Sequence, residues 1–185
     1  ERFTRNQDNE LNWRIRKSGG KVYLTDKIQL TYYCRDTVRG INKMGFINGK
    51  WNIITMALCF GAMGARHFIP LVFLLSLILM PLVSLVLPFA WYVFALEIAL
   101  YLALDVGYSI VYGSKAKDDN KLACILTLLY LFPAFHLSYG LGSFVGLCKL
   151  LTPEFRRDLY HRAPQTVTAP KKAEEKETET STINN

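Results

Sequence analysis

Polar and apolar positions fall in long blocks along this chain. Charged residues recur every few positions from Glu1 to Lys50, become rare from Trp51 to Leu151, and return from Thr152 to Asn185. The pattern reads as a polar head, a lipid-compatible body and a polar tail. Within the body, Phe68 to Leu96 holds no charged residue, and only Glu97 and Asp105 interrupt the apolar run before Tyr112. A helical span needs about 20 apolar residues. The stretch therefore predicts transmembrane helices over 68–88 and 89–112, with Pro88 at the hairpin and Trp91 and Tyr92 at the membrane interface. Leu122 to Cys148 is again uncharged and predicts a third transmembrane or re-entrant helix over 122–148. Pro133 lies near its middle, and the glycine-rich run 139–146 offers small faces for close helix packing. Trp51 to Ala65, bounded by Lys50 and Arg66, is too short for a comfortable span, so 51–67 reads as an interfacial or re-entrant helix.

In the head, Asp8 to Ser18 carries good helix formers, an acidic start, basic residues in its last turn and Gly19-Gly20 just beyond, which together predict a short helix. Lys21 to Leu24 and Ile28 to Tyr33 read as short strands around a turn at Thr25-Asp26-Lys27. The tail, 152–185, is polar, and beyond Ala163 it has no aromatic residue and little apolar surface, which predicts disorder.

Composition sharpens this division. The chain is 51% hydrophobic yet 20% charged, a mixture that fits segregated membrane and aqueous segments. Its net charge of +7 lies in the head, one short loop and the region after the last apolar run. Such a distribution suits the cytoplasmic face of a membrane, where Lys and Arg meet anionic headgroups, better than nucleic acid. Three simple spans would set the basic head and the basic tail on opposite sides, against the positive-inside rule, so either the last segment breaks at Pro133 and re-enters or Trp51 to Ala65 also crosses, for three spans give or take one. Cys34, Cys59, Cys124 and Cys148 lack metal-ligand spacing and read as unbridged thiols. A head of about 50 residues is small for an independent core. The sequence opens at Glu1 without an initiator Met or a signal-peptide pattern, so it reads as part of a longer protein.

The string from Asn6 to Leu24, in which an acidic pair (Asp8, Glu10) opens a helix that ends at Gly19-Gly20 and leads into a strand, resembles the family 2 glycosyltransferases, in particular the succinoglycan and exopolysaccharide-biosynthesis type. Tyr33-Cys34-Arg35, Gly49-Lys50-Trp51 and His136-x-x-Tyr139-Gly140-x-Gly142 are similar to further elements of that group. Met44, Gly45 and Asn48 depart from it. The resemblance implies the C-terminal end of an α/β GT-A domain over 1–50, followed by an α-helical membrane domain of about three spans. It implies an inverting transferase that moves a sugar from a nucleotide-sugar donor to a glycan or lipid-linked acceptor in cell-surface glycan synthesis. The expected setting is the inner (cytoplasmic) cell membrane, with a cytoplasmic head among membrane lipids. A divalent metal, Mg or Mn, is implied for the whole enzyme, with its DxD ligands outside these residues, so activity of this part alone is not expected.

By the same resemblance Asp8 is the general base, with Glu10 in support. An acceptor alcohol attacks poorly until its proton has somewhere to go, and a helix start favours a negative charge. Taken alone, an Asp there is more often a plain N-cap. Arg35, Arg39 and Lys43, spaced by four, would share one helical face suited to phosphate oxygens or equally to lipid headgroups. Trp51 is either an acceptor platform or an interfacial anchor. Glu97 and Asp105 share a helical face with Tyr101 between them. Carboxylates at membrane depth are costly and often functional, although for these two and His136 polar helix packing is the heavier reading. The alternative to the enzyme is a non-catalytic small membrane protein whose basic head binds headgroups or a partner.

Overall fold

The computed structural model describes residues 5–116 and 120–161. These form six α-helices and one 3-10 turn: α1 (Gln7–Lys17), α2 (Val38–Leu58), the turn Ala65–Phe68, α3 (Ile69–Ser84), α4 (Ala90–Ser114), α5 (Lys121–Leu151) and α6 (Pro153–His161).

No strand or sheet occurs among the described residues, which overturns the expected α/β GT-A end. Lys21 to Leu24 and Ile28 to Tyr33 are irregular and exposed along their whole length, Leu24 and Tyr33 almost completely. A two-stranded ribbon is marginal in water unless a third strand or a helix covers one face, and nothing in the described chain covers these two. The expected strands are therefore absent here: the residues that suit a strand have no surface to pair with or cover.

Three helices are long and apolar enough to cross a membrane: Ala65–Ser84, Ala90–Ser114 and Lys121–Leu151. Their most apolar windows are only 11%, 11% and 6% buried within the protein. So much exposed Leu, Ile and Val would be a liability in water, whereas it is the expected dress of a lipid-facing surface. The chain is thus built as a membrane protein. At 1.5 Å per residue, α5 is about 46 Å long, longer than the roughly 30 Å hydrocarbon core. Pro70 opens α3 in its first turn, where its missing N–H costs nothing. Asn120 caps α5 by accepting from Ala123 N at 3.1 Å. The basic loop residue Lys117 and its acidic neighbours, and the tail from 162 to 185, lie outside the described residues. The polar tail opens with α6, whose Leu159 is buried; the stretch beyond Ala163, where disorder is expected, lies outside the described residues.

α5 is the centre of the bundle and contacts α2, α3, α4 and α6. Facing pairs give the directions. Ser76 meets Glu97 and Phe73 stacks on Tyr101, so α4 runs antiparallel to α3. Gly113 faces Ile125 and Tyr101 faces His136, so α5 runs antiparallel to α4. The closest packing is between α2 and α5, which run parallel: Gly45 lies on Phe135, Phe46 on Gly142, and Lys50 on Gly146. Each helix contributes a GxxxG pair, Gly45/Gly49 and Gly142/Gly146, so that backbone meets backbone. A methyl on Gly142 would land on the Phe46 carbonyl, and one on Gly146 would sit 3.2 Å from Lys50 Cα. Small residues at this spacing let helices approach closely and gain dispersion contact that larger side chains would prevent.

This seam brings Lys50 of α2 beside Lys149 of α5. Burial lowers the Lys50 ammonium below its ordinary value of 10.5, and the Lys149 charge and hydrogen bond push it the same way. Between the lowered value and 10.5 the unfolded chain binds more protons than the folded one, so stability rises with pH across that window. Thermal unfolding in detergent, followed by circular dichroism at increasing alkaline pH, is expected to show a rising Tm that flattens in Lys50→Met. An unchanged slope in the variant would assign the effect elsewhere.

Candidate functional site

The described residues hold two polar constellations and one open basic groove, each set by a different local feature. The first constellation docks α1 onto the membrane helices. Asn6 adopts a left-handed conformation with φ 63°, which Asn tolerates better than most residues. Its side chain does not cap α1. Instead its amide donates to Asn52 Oδ1 at 2.5 Å and to Thr55 Oγ1 at 3.3 Å. Asn52 in turn donates to the Tyr139 hydroxyl and lies 3.4 Å from His67 Nδ1, which is 3.3 Å from that hydroxyl. One partly buried network thus ties α1, α2, the 3-10 turn and α5 together. Trp13 Nε1 donates to the Phe60 carbonyl at 3.1 Å, fixing the middle of α1 as well.

The expected catalytic residues sit on this docked helix. Asp8 is in the first turn, exposed; with Asn6 at the N-cap position, it is not the cap. Glu10 is paired with Arg14, Nε to Oε1 2.7 Å, so its carboxylate is already engaged.

The basic groove lies between α2 and α5. Arg39, Asn42 and Lys43 line it with Phe46, Tyr130 and Ser138, around a volume of about 550 Å³. Asn42 Oδ1 is buried there without a hydrogen-bond partner. Arg35 is not on this helix, because Thr37 caps α2 by accepting from Gly40 N at 3.2 Å; only Arg39 and Lys43 share the face. Trp51 lies further along α2, half-buried, with the Lys50 ammonium 5.8 Å from its ring centre.

The second constellation lies in a cleft of about 740 Å³ among α3, α4 and α5, whose lining includes Phe73, Tyr101, Asp105, Tyr108, Phe132 and His136. His136 Nδ1 is 2.9 Å from the Phe132 carbonyl, so that contact is a hydrogen bond only with the proton on Nδ1, which leaves Nε2 as acceptor. The same nitrogen is 3.3 Å from the Tyr101 hydroxyl. Asp105 is 6% exposed; its Oδ1 has no partner at hydrogen-bonding geometry, and the Ser109 hydroxyl one turn on is the neighbour set against its carboxylate. Glu97 is not part of the cleft. It receives a hydrogen bond from Ser76 of α3, a polar contact between packed helices.

Reading from the sequence passed over Asn52, Thr55 and His67, and over the glycine pair of α2. The available signal was polar residues spaced by three, Asn52 and Thr55, inside an apolar run. No group of three or more His, Cys, Asp or Glu among the described residues could hold a metal ion; the ligands of the divalent metal implied by the resemblance are expected outside this chain. Comparison with protein families, with curated proteins and with solved structures gives no match for this chain.

Proposed function

We propose that the chain is the membrane-embedded, acceptor-side part of an inverting sugar transferase that moves a sugar from a nucleotide-sugar donor to a glycan or lipid-linked acceptor at the cytoplasmic surface of the cell membrane. The observation that carries the reading is the Asn6 to Leu24 string together with the docking of its helix. Asn6 and Trp13 hold α1 against the membrane helices, while Asp8 stays exposed. A general base needs this combination of a fixed backbone and a carboxylate open to the acceptor hydroxyl.

Arg39 and Lys43 supply the complementary feature. Two cations on one helix face, exposed at a groove, suit the phosphate oxygens of a donor or a lipid-linked acceptor. The test uses membranes carrying the chain within its complete reading frame, incubated with a panel of labelled nucleotide sugars. Incorporation into lipid-extractable or polymeric product is expected from at least one donor. The double variant Arg39→Gln, Lys43→Gln is expected to raise KM about tenfold or more, the typical loss for two charge-assisted hydrogen bonds. Absence of incorporation from every donor would sink the reading and favour a non-catalytic head that binds anionic headgroups.

A further inference from the structure

From the cleft between α3, α4 and α5 we infer a binding site for a neutral lipid alcohol, a molecule with long apolar chains and a free hydroxyl, held through that hydroxyl by Asp105. The inference does not depend on sugar transfer, since it concerns binding alone.

Three observations carry it. Asp105 Oδ1 is buried in the cleft without a partner at hydrogen-bonding geometry, the Ser109 hydroxyl one turn on being the neighbour set against the carboxylate, and buried acceptor capacity left unused costs free energy that a ligand donor would recover. Carboxylates within helices that can cross a membrane are rare for the same reason, and mark sites where something polar is received. His136, whose Nδ1 is taken by the Phe132 carbonyl, adds a second acceptor at Nε2. A carboxylate accepts more hydrogen bonds than the single Ser109 hydroxyl can give, and a hydroxyl is the donor a lipid carries.

The walls define the rest of the molecule. Apart from Asp105, Tyr101 and His136 they are apolar and aromatic, and no Arg or Lys lines the cleft. A phosphate would meet a carboxylate with no compensating cation, so an anionic lipid is disfavoured. The volume of about 740 Å³ falls in the range of small-molecule sites, roughly 300–1,000 Å³. It is large enough for a glycerol-sized head and the first methylenes of its chains. Leu104, Tyr108 and Tyr112 on the cleft rim are more than half exposed on the lipid-facing side of α4, so chains would continue from the cleft into the bilayer.

The experiment reconstitutes the full chain in phosphatidylcholine nanodiscs with a diazirine-bearing diacylglycerol. After irradiation, the labelled peptides are read by mass spectrometry. Labelling is expected on α4 and α5 residues at the cleft, competed by unlabelled diacylglycerol and not by phosphatidic acid with the same acyl chains. Asp105→Leu is expected to reduce it about tenfold or more, as loss of a hydrogen bond to a buried charged or polar group does. Asp105→Asn, which keeps an acceptor oxygen, should stay close to the parent. Because Leu104 is 61% exposed, Leu104→Trp narrows the cleft without burdening the fold and is expected to reduce labelling too. Equal competition by phosphatidic acid, or parental labelling in both Asp105→Leu and Leu104→Trp, would overturn the inference.

Discussion

Alanine in place of Gly142 is expected to destabilise the bundle by about 2–3 kcal/mol, the scale of overpacking at a site that cannot relax. The added methyl would be directed at Phe46 of α2, 2.7 Å from its carbonyl carbon and 2.9 Å from its Cα. Backbone, unlike the end of a long side chain, cannot step aside. The gain in helix propensity from Gly to Ala, up to about 1 kcal/mol, is smaller than this penalty. Gly107 of α4 is the internal control, since a methyl there meets nothing within 4 Å. Gly107→Ala is therefore expected to be neutral or stabilising by up to about 1 kcal/mol. SDS-titrated unfolding in mixed micelles, read by circular dichroism, measures both. If the two variants behave alike, α2 and α5 do not pack through their glycines.

Asparagine in place of Asp8 is expected to lower the rate of sugar transfer by about 10²–10⁴-fold, the usual worth of a positioned general base, with unfolding unchanged. The separation of the two readouts follows from the structure. Asp8 is exposed and does not occupy the N-cap of α1, so little folding energy depends on it. Glu10 offers the contrast. Its carboxylate is held by Arg14, and Glu10→Gln is expected to change the rate far less than Asp8→Asn. Initial rates in membranes, normalised to the amount of inserted protein, distinguish the cases. A full rate in Asp8→Asn would remove this residue from the mechanism and leave the docked helix as a structural clamp.

The two experiments probe opposite ends of one mechanical unit. α2 is held to α5 by glycines, and α1 is held to α2 and α5 by Asn6 through Asn52 and Tyr139. Loosening the seam at Gly142 should therefore also loosen the helix that carries Asp8. A Gly142 variant is expected to lose transfer as well as stability, whereas Asp8→Asn should lose transfer alone.

Legibility from the sequence divides along the range of the interactions involved. The three apolar helices are written in runs of residues, because a span is a matter of local length and hydropathy. Their ends shift by a few residues, to Ser84, Ala90 and Ser114, where turns and caps decide. The helix of the head was equally plain, since its start and stop signals are neighbours in the chain. The strands were misread for the opposite reason. Lys21 to Leu24 and Ile28 to Tyr33 have the pattern of strands, but a strand exists only against a partner, and these residues have none in the described chain. The face shared by Arg35, Arg39 and Lys43 failed at its first member, because the cap at Thr37 starts the helix after it.

The candidate sites follow the same rule. Asp8, Arg39 and Lys43 could be singled out one by one as residue types suited to a task, yet the groove beside Arg39 and Lys43 exists only because α5 packs against α2. Asn6 stood outside the helix expected from Asp8 to Ser18, and only the fold set it at the N-cap position of α1 with its side chain turned to Asn52 and Thr55. Sequence alone determined that this chain carries helices able to cross a membrane and a basic, aromatic-bearing head, since hydropathy and charge act over a few neighbouring residues. Tertiary structure decided that the described part of the head has no sheet, that α2 rides on α5 through facing glycines, and that Asp105 is buried at a cleft. Each of those depends on which distant residues meet, and a chain's own pattern does not encode the partner's position locally.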